Sequence, residues 1–292
     1  MQVDVNTIRS EWEMLNKFPT TCDDTNYATA KKNTQKNRYS DVLALEKTRV
    51  LLKSGEYINA NYVDISPAKY KIIATQAPLP TTFDSFWEMA YENGVAVIIM
   101  LTRLIEKGMQ KADNYWPEDG QSIKFNNIVI AALGYYSLSP GIMVRKFQMI
   151  KNTETRIIYH ISFFSWPDFG APSGTEEIRL VYHHAKSLIP QKLPCPFIVH
   201  CSAGIGRAGS FISYVYFCES WLNNFGPISL PKIVSDLRQQ RMSMVQSFEQ
   251  YSFIYSMIYD EYSSCTRHYT EDNSSRPPNI CVESPFYGVR VK

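Results

Sequence analysis

Residues 196–210 have the sequence PFIVHCSAGIGRAGS, and this stretch decides the class of fold. The run PFIVHC (196–201) is apolar and β-branched over most of its length, which is typical of a strand buried on both faces. A glycine turn follows, and a helix is predicted from about residue 208. Strand, turn and helix in this order predict an α/β fold with an anion-binding turn between a central strand and a helix.

The glycine turn fits two kinds of phosphate-binding loop. Gly204, Gly206 and Gly209 match the G-x-G-x-x-G pattern of dinucleotide-binding loops. The same turn contains Cys201 and Arg207 in a C-x5-R arrangement, which would form a cradle for a tetrahedral oxyanion. A dinucleotide loop needs neither side chain, and the segment FGPISLPK after the helix is not the strand that such a loop requires. We therefore favour the oxyanion cradle.

Cys201 is the candidate nucleophile. Inward-facing amides, a helix N-terminus and the Arg207 guanidinium would surround its thiol, so we expect a thiolate at neutral pH. The planar guanidinium can also bind two phosphoryl oxygens at once, which a lysine cannot do. His200 is expected to orient the loop. The other cysteines have no such surroundings, and we interpret them as packing residues.

The segment WPDFG (166–170) is predicted to supply an acid. A cysteine that attacks phosphorus needs a proton donor for the departing oxygen, because an alkoxide or phenoxide leaves poorly. Trp166 and the following proline would fix a loop with a single carboxylate, Asp168, and Gly170 could serve as its hinge. Taken alone, the segment could also be an ordinary Pro-Asp turn.

The composition excludes several classes of protein. The chain has 292 residues, 45% of them hydrophobic, and 30 Lys and Arg against 28 Asp and Glu give a net charge of +2. A full globular core is possible, but no basic field is available to bind nucleic acid. Six cysteines without a C-x-x-C pair predict reduced thiols and no metal site. The apolar runs are shorter than the ~18 residues of a spanning helix, so no membrane insertion is predicted.

Hydrophobic periodicity predicts one domain over residues 1–263 and a polar, loosely ordered tail over 264–292. A polar loop is predicted over 22–41. Short turns between three extended pieces favour antiparallel pairing. The extended pieces are 123–137, 141–152 and 155–166, the other strands are 57–63, 70–76, 96–102 and 196–201, and the helices are 6–18, 81–94, 173–188, 208–224, 229–240 and 246–263.

Segments along most of the chain, residues 5–262, resemble those of the classical, tyrosine-specific protein tyrosine phosphatases, in the same order. The resemblance implies a single domain with a highly twisted mixed β-sheet flanked by helices. The matching segments are NTQKNRYSDV (33–42), EKTRVLL (46–52), EYINANYV (56–63), APLPTTFDSFWEM (77–89), VIIMLT (97–102), KADNYWP (111–117), WPDFGAP (166–172), VHCSAGIGRAG (199–209) and VQSFEQYSF (245–253).

The resemblance implies that the chain hydrolyses phosphotyrosine on proteins through a phosphocysteine intermediate, as a cytoplasmic monomer without a cofactor. Cys201 would be the nucleophile and Arg207 the phosphate clamp, while Asp168 would act first as acid and then as base. Gln246 would position the hydrolytic water. The implied substrate-binding residues are Tyr39, Asp41, Val42, Phe169, Ser202, Ala203, Gly204, Ile205, Gly206 and Gln250, and the implied supporting residues are His200, Trp166 and Lys111.

The resemblance implies a specific role for four of these residues. Tyr39 would stack on the phosphotyrosine ring and set the depth of the pocket, so that phosphoserine could not reach the nucleophile. Asp41 would hold the backbone amides of the substrate. Phe169 would cap the ring when the acid-bearing loop closes, and Gln250 would support the water-positioning glutamine.

One departure from the family pattern concerns catalysis. Ala208 replaces the Ser or Thr that usually follows the signature arginine. That hydroxyl stabilises the cysteine thiolate as it leaves in the second step. A lost hydrogen bond to a charged group costs ~1–3 kcal/mol, which predicts a roughly ten- to hundredfold slower hydrolysis of the phosphocysteine.

Two other functions are weighed against a working phosphatase. A phosphotyrosine-binding decoy would keep the cradle without useful turnover, but it would need neither Asp168 nor Gln246. A lipid phosphatase is disfavoured by the KNRY segment, which suits an aromatic phosphoester.

The R-A-G variation in a compact catalytic domain resembles the sequence of the polydnavirus (bracovirus) phosphatases. A protein of that kind would act in the cytoplasm of a host cell.

Overall fold

The structure, a computed structural model, describes residues 4–17, 24–66, 68, 70–168, 170–190, 196–222 and 229–271. Within these ranges the strands are β1 (Ala60–Asp64), β2 (Lys71–Thr75), β3 (Val97–Met100), β4 (Ile105–Glu106), β5 (Met109–Gln110), β6 (Ser122–Phe125), β7 (Ile128–Ser139), β8 (Ile142–Lys151), β9 (Glu154–Phe163) and β10 (Phe197–His200). The α-helices are α1 (Val5–Lys17), α2 (Ala28–Lys32), α3 (Phe83–Glu92), α4 (Glu176–Ser187), α5 (Gly206–Leu222), α6 (Leu230–Arg238) and α7 (Phe248–Glu271).

A mixed, twisted sheet forms the centre of the fold, with the strand order β1-β2-β10-β3-β9-β8-β7-β6. β10 is parallel to β2 and β3, and β3 is parallel to β9, whereas the outer pairs are antiparallel. The predicted α/β class and the antiparallel pairing of the extended pieces are confirmed. Because ligands bind beyond the carboxyl ends of parallel strands, the turn after β10 is in position for a site.

The two faces of the sheet bury separate hydrophobic clusters. Val97 and Ile99 of β3 belong to one cluster, and Ile98 and Met100 belong to the other, because successive side chains of a strand point to opposite faces. Helices α4 to α7 contribute to the first cluster and α3 contributes to the second. The helices therefore flank the sheet on both sides and hold β10 in the middle of the core.

The helical predictions hold with shifted ends. In α1, Ile8 is buried, and Trp12 and Leu15 pack against the core as the spacing predicts, whereas Phe18 lies outside the described residues. Helix α7 continues to Glu271, beyond the predicted end at residue 263, so the first part of the predicted tail is helical. No helix in the described ranges combines the length and apolar character that crossing a bilayer requires.

The extended piece predicted over 123–137 is in fact a hairpin of β6 and β7. Phe125 pairs with Ile128, and the turn between them contains Asn126 with φ +52°. Asparagine tolerates this left-handed conformation because its short polar side chain can bond locally. The pair Asn126-Asn127 is a turn signal that the prediction of one continuous extended piece did not take into account.

The polar stretch 22–41 is more regular than predicted. Besides α2, it contains short 3₁₀ turns at Asp24–Tyr27 and Thr34–Lys36. The two-residue strands β4 and β5 form a separate small hairpin that periodicity cannot reveal at this length. Both regions contribute residues to the site described below.

Candidate active site

Cys201 follows β10 directly and begins the cradle loop, residues 201–207. Its side chain is buried, and its Sγ accepts a hydrogen bond from the backbone N–H of Gly204 at 3.3 Å. It is a free cysteine. The predicted nucleophile is therefore a reduced thiol at the carboxyl end of a central strand, with a backbone donor aimed at its sulfur.

The backbone carbonyls of the cradle loop are tied outward, one after another. In a trans peptide the carbonyl and the next N–H point in opposite directions, so the N–H groups from residue 202 to residue 206 are left to face the cradle. The outward bonds are Cys201 O to His200 Nδ1 (3.0 Å), Ser202 O to Ala77 N (2.9 Å), Ala203 O to Arg241 Nη2 (3.1 Å), Gly204 O to Arg241 Nε (2.8 Å) and Ile205 O to Val245 N (3.0 Å).

Arg241 is a structural arginine that holds two of these carbonyls. It has no exposed surface, and its remaining contacts are to the side-chain oxygens of Asn61 (2.8 Å) and Asn59 (2.9 Å). Burial lowers its pKa to about 10, against the opposing effects of Tyr57 and Cys201. The guanidinium therefore remains charged at neutral pH and orients the loop from behind.

Gly204 is required where the loop passes the end of β2. Its φ is +74°, and a Cβ at this position would come within 2.0 Å of the Thr75 carbonyl oxygen. No other residue can adopt this conformation at so close an approach without moving the backbone. The glycine pattern of the sequence therefore reflects the turn of the cradle loop.

Arg207 lies in the first turn of α5 and is almost completely buried. Glu106 of β4 binds its two Nη atoms, at 2.6 and 3.2 Å, and the Trp166 carbonyl accepts from Nη1 at 3.0 Å. Burial lowers the pKa of Arg207, but the negative charges of Cys201, Glu106 and Asp168 outweigh it and raise the pKa above its usual value. None of these contacts uses Nε, which leaves that donor for a phosphoryl oxygen.

The loop that carries Asp168 is docked on the cradle. The Asp168 carboxylate binds Lys111 Nζ at 2.5 Å and Arg207 Nη2 at 3.4 Å. The bond to Asp168 raises the pKa of Lys111. Trp166 anchors the loop, because its indole N–H donates to the Gly170 carbonyl at 3.0 Å and its ring packs edge-on against the core. Phe169 lies outside the described residues.

The predicted substrate-binding tyrosine, Tyr39, contacts the cradle loop directly. Ser202 Oγ donates to the Lys111 carbonyl at 2.7 Å, so the Tyr39 hydroxyl is the donor in its 2.8 Å bond to Ser202. Arg38, the residue before Tyr39, donates to the backbone carbonyls of residues 77 and 78 and so fixes the backbone that carries Tyr39. Asp41 is exposed beside this group, whereas Val42 is buried and packs into the core.

The two predicted glutamines meet at the end of the fold's last long loop. The backbone N–H of Gln246 donates to Gln250 Oε1 at 3.0 Å. A Cβ at Gly206 would lie 2.4 Å from Gln246 Oε1, so the side chain of Gln246 lies against the cradle loop. The structure thus brings all four predicted catalytic side chains to one place.

His200 belongs to a buried chain of hydrogen bonds behind Cys201. The Cys201 carbonyl can only accept, so His200 Nδ1 donates and its Nε2 accepts from the Tyr115 hydroxyl at 2.7 Å. Tyr115 in turn accepts from His160 Nε2 at 2.8 Å. Burial lowers the pKa of His200 to about 4, and burial with the nearby Arg145 holds the pKa of His160 well below its usual value. Both imidazoles are therefore neutral, and His200 orients the cradle loop.

These two histidines make the stability of the fold depend on pH. Their pKa values are lower in the folded state than the unfolded value of about 6.5, so their contribution to the free energy of unfolding is fully present above pH 6.5 and is lost as the pH falls below it, down to about pH 4 for His200. At pH 5.5 each is expected to have lowered the free energy of unfolding by about 1 to 2 kcal/mol. Urea unfolding should therefore show a loss of about 3 kcal/mol between pH 7.5 and 5.5. A free energy of unfolding that is flat over this range would contradict neutral burial of the pair.

Three residues that orient the candidate site were not found from the sequence. Glu106, Arg241 and Tyr115 bind Arg207, the loop carbonyls and His200, respectively. Only Tyr115 had a signal, because it lies in the segment KADNYWP that matches the family. The other two are single charged residues in polar stretches, and only the tertiary structure brings them to the cradle loop.

Comparison with known proteins identifies the family and the shared fold. The family model for protein-tyrosine phosphatase matches residues 33–260. Tyrosine-protein phosphatase non-receptor type 18 of Mus musculus is 36% identical over 265 residues, covering 86% of this chain and 58% of the relative. Tyrosine-protein phosphatase non-receptor type 20 of Rattus norvegicus is 38% identical over 235 residues, covering 78% and 54%. The chain therefore spans about half the length of these curated relatives.

Solved structures share the fold. A structure from work on the PTPN18 fingerprint on HER2 tyrosine phosphorylation sites has a TM-score of 0.81 and 31% identity, over 88% of this chain and 95% of that one. The catalytic domain of human protein tyrosine phosphatase non-receptor type 18 has a TM-score of 0.78 and 30% identity, over 89% and 100%. The family model matches most of the chain, and the solved structures share its fold. The chain therefore belongs to the protein-tyrosine phosphatase family.

Proposed function

We propose that this chain hydrolyses phosphotyrosine on proteins through a phosphocysteine intermediate. The observation that carries the proposal is the bond from the Gly204 N–H to Cys201 Sγ, within a loop whose carbonyls are bonded to groups outside it and beside the buried Arg207 guanidinium. Such a concentration of fixed donors suits a phosphoryl group whose charge is spread over three oxygens. The names of the relatives and the complexes of PTPN18 with HER2 phospho-peptides support phosphoproteins as the substrate class.

In the first step, Cys201 Sγ attacks phosphorus in line with the phenolic oxygen. The S–P bond forms and the P–O bond breaks, while the cradle amides and Arg207 bind the equatorial oxygens. Asp168 donates its proton to the phenolic oxygen, so tyrosine leaves as a neutral phenol. The contact of Asp168 with Arg207 at 3.4 Å supports this role, because it holds the carboxyl group over the cradle.

In the second step, a water molecule positioned by Gln246 attacks the phosphocysteine. Asp168 accepts the proton of the water, the S–P bond breaks, and inorganic phosphate and the Cys201 thiolate are released. Gln250 supports the water-positioning residue through its bond to the Gln246 backbone N–H. The reaction needs no metal or cofactor.

Specificity for tyrosine follows from the depth of the pocket. Tyr39 and Phe169 would enclose the phosphotyrosine ring, and Asp41 would bind the substrate backbone. Phosphate release from matched phosphotyrosine and phosphoserine peptides tests this: we expect turnover of the first and negligible turnover of the second. Equal rates on both peptides would contradict the role of the pocket depth.

Ala208 is expected to make the second step slow. Replacing it with serine (Ala208→Ser) should raise steady-state turnover roughly tenfold or more, because a hydroxyl bonded to the leaving thiolate is restored. Stopped-flow measurement of phenol release should show a burst in the parent that shrinks in the variant. The rate constant of the burst is the internal control, since the first step does not use this hydroxyl. An absent burst, or unaltered turnover in the variant, would contradict the assignment.

The same alanine favours one alternative, a phosphotyrosine-binding decoy that sequesters phosphoproteins with negligible turnover. Asp168, docked at 3.4 Å from Arg207, supports the enzyme instead, since binding alone needs no acid. Phosphate release from a phosphotyrosine peptide decides between them. A parent chain that binds the peptide but releases no more phosphate than its Cys201→Ser variant would be a decoy.

We also propose that the protein acts as a monomer, because one chain supplies all of the site residues named above, and that it acts in the cytoplasm, which the non-receptor names of its relatives support. Sedimentation at micromolar concentration and cell fractionation test these two points.

The Arg207-Ala208 variation supports a source among the polydnavirus (bracovirus) phosphatases, which would make the host-cell cytoplasm the place of action. Viral sequence flanking the coding region would confirm that source, and a cellular chromosomal context would overturn it.

A further inference from the structure

The backbone just before Gln246 is held in an unfavourable conformation. Val245 has φ +65° and Ser243 has φ +52°, in the left-handed region that β-branched residues such as valine rarely occupy. Val245 is also fully buried. Its N–H donates to the Ile205 carbonyl of the cradle loop at 3.0 Å, so this conformation connects the two loops. Such a conformation persists only where its surroundings hold it.

Arg238, the last residue of α6, provides that support. Its Nε donates to the Met244 carbonyl at 3.0 Å and its Nη2 donates to the Val245 carbonyl at 3.1 Å. The planar fork of one guanidinium thus fixes two successive carbonyls of the strained segment. Because the Val245 carbonyl belongs to the same peptide as the Gln246 N–H, this contact also sets the direction of that N–H, which bonds Gln250.

The other side of Arg238 is fixed by α1. Its Nη1 donates to the Leu15 carbonyl at 3.1 Å and to Asn16 Oδ1 at 3.2 Å. The guanidinium carbon also lies 5.3 Å from the ring centre of Trp12, within the range of a cation–π contact. Trp12 in turn packs against Tyr251 of α7, with ring centres 5.5 Å apart. The contacts with α1 therefore fix one side of the guanidinium, and the bonds to the Met244 and Val245 carbonyls fix the other side.

We propose that Arg238 is a positioning residue for Gln246 in the hydrolysis of the phosphocysteine, and that α1 is its outer support. The inference rests on the proposed function, because it assigns a role within that reaction. The guanidinium of Arg238 bonds the Met244 and Val245 carbonyls and α1, so its proposed role is exerted through Gln246. It acts by fixing the Met244–Val245 backbone, which places the Gln246 side chain beside Gly206 of the cradle loop.

The test replaces the fork with a single ammonium, Arg238→Lys, and follows where the phosphoryl group goes. A lysine Nζ cannot reproduce the two fixed donors on adjacent carbonyls together with those to α1. The phosphocysteine is allowed to react in water containing methanol. Attack by the methanol oxygen breaks the S–P bond and gives methyl phosphate, whereas attack by water gives inorganic phosphate. If Gln246 holds the water less well, the share of methyl phosphate should rise.

We expect the ratio of methyl phosphate to inorganic phosphate to rise roughly fivefold or more in Arg238→Lys, while the rate constant for phenol release in a single turnover stays within about twofold. The product ratio does not depend on how much protein is folded, so a loss of stability cannot imitate the effect. The matched control is Arg179→Lys. The guanidinium of Arg179 donates to Glu261 and Ser264 at 2.8 Å each, so this change also replaces a two-donor fork with one ammonium, but these contacts do not involve the loop before Gln246. Its ratio should equal that of the parent.

A second variant covers the case in which Arg238→Lys does not fold. Trp12→Leu keeps the arginine but removes its aromatic support, and it should raise the same ratio by a smaller factor. An unchanged ratio in the folded variants, with a parent that turns over, would overturn the role of Arg238 and leave the proposed function intact. A parent that forms no product at all would overturn the proposed function, and this role with it.

Discussion

Replacing Cys201 with serine is expected to lower the turnover of a phosphotyrosine peptide by about 100,000-fold or more, as when the nucleophile of a covalent mechanism is removed. A serine hydroxyl has almost no ionised form at neutral pH, whereas the sulfur already accepts an N–H bond from Gly204 at 3.3 Å. Phosphate release at equal protein concentration measures the loss.

Binding of the same peptide should survive the Cys201→Ser change. The cradle amides and Arg207 remain, and the carbonyl bonds that orient them do not involve the side chain of residue 201. Calorimetry should give an affinity within a few-fold of the parent or tighter. The control is Cys218→Ser, a change at a buried free cysteine in α5 that has no part in the reaction. Equal losses of turnover in the two variants would refute Cys201 as the nucleophile.

The second large effect is expected at Asp168. Asp168→Asn should lower the rate constant of the first step, measured as dephosphorylation of a phosphotyrosine peptide in a single turnover, by roughly 100- to 10,000-fold, the usual contribution of a general acid. The amide cannot donate a proton to the departing phenol. With dinitrophenyl phosphate the loss in this first-step rate constant should be much smaller, because that phenoxide leaves without protonation. Steady-state turnover is not used, because it also reports the second step, in which Asp168 accepts a proton.

The matched control is Asp119→Asn, a change at an exposed carboxylate in a surface turn. It should leave both substrates at the parent rate. Equal losses of the first-step rate constant on the peptide and on dinitrophenyl phosphate would show that Asp168 supports the structure of the loop and does not protonate the leaving group. The contrast between the two substrates is therefore the decisive quantity.

The chemistry of the site was predictable from the sequence where it is local. Cys201 and Arg207 lie in one turn, and the glycines between them report the conformation of that turn. The class of fold followed from the buried character of 196–201, because a strand buried on both faces must lie inside the sheet. The hairpin at Asn126 was also within reach of the sequence, because Asn126-Asn127 is a turn-type pair between two β-type runs, but the predicted extended piece ran through it.

The residues that orient the site were not predictable in the same way. Arg241 reaches the Gly204 carbonyl from 37 residues away, and Glu106 reaches Arg207 from 101 residues away. Neither position has a pattern around it that separates it from an ordinary surface charge. Their roles depend on burial and on the contacts of Arg241 with the cradle loop and of Glu106 with Arg207, which only the folded chain establishes.

The most direct test of a phosphocysteine mechanism is acid quenching of the protein within one turnover of a phosphotyrosine peptide, followed by mass spectrometry of its fragments. We predict a single phosphoryl group on Cys201, formed as tyrosine is released and lost as inorganic phosphate appears. Phosphate release with Cys201 unmodified at every time point, or a phosphoryl group on another residue, would contradict the account.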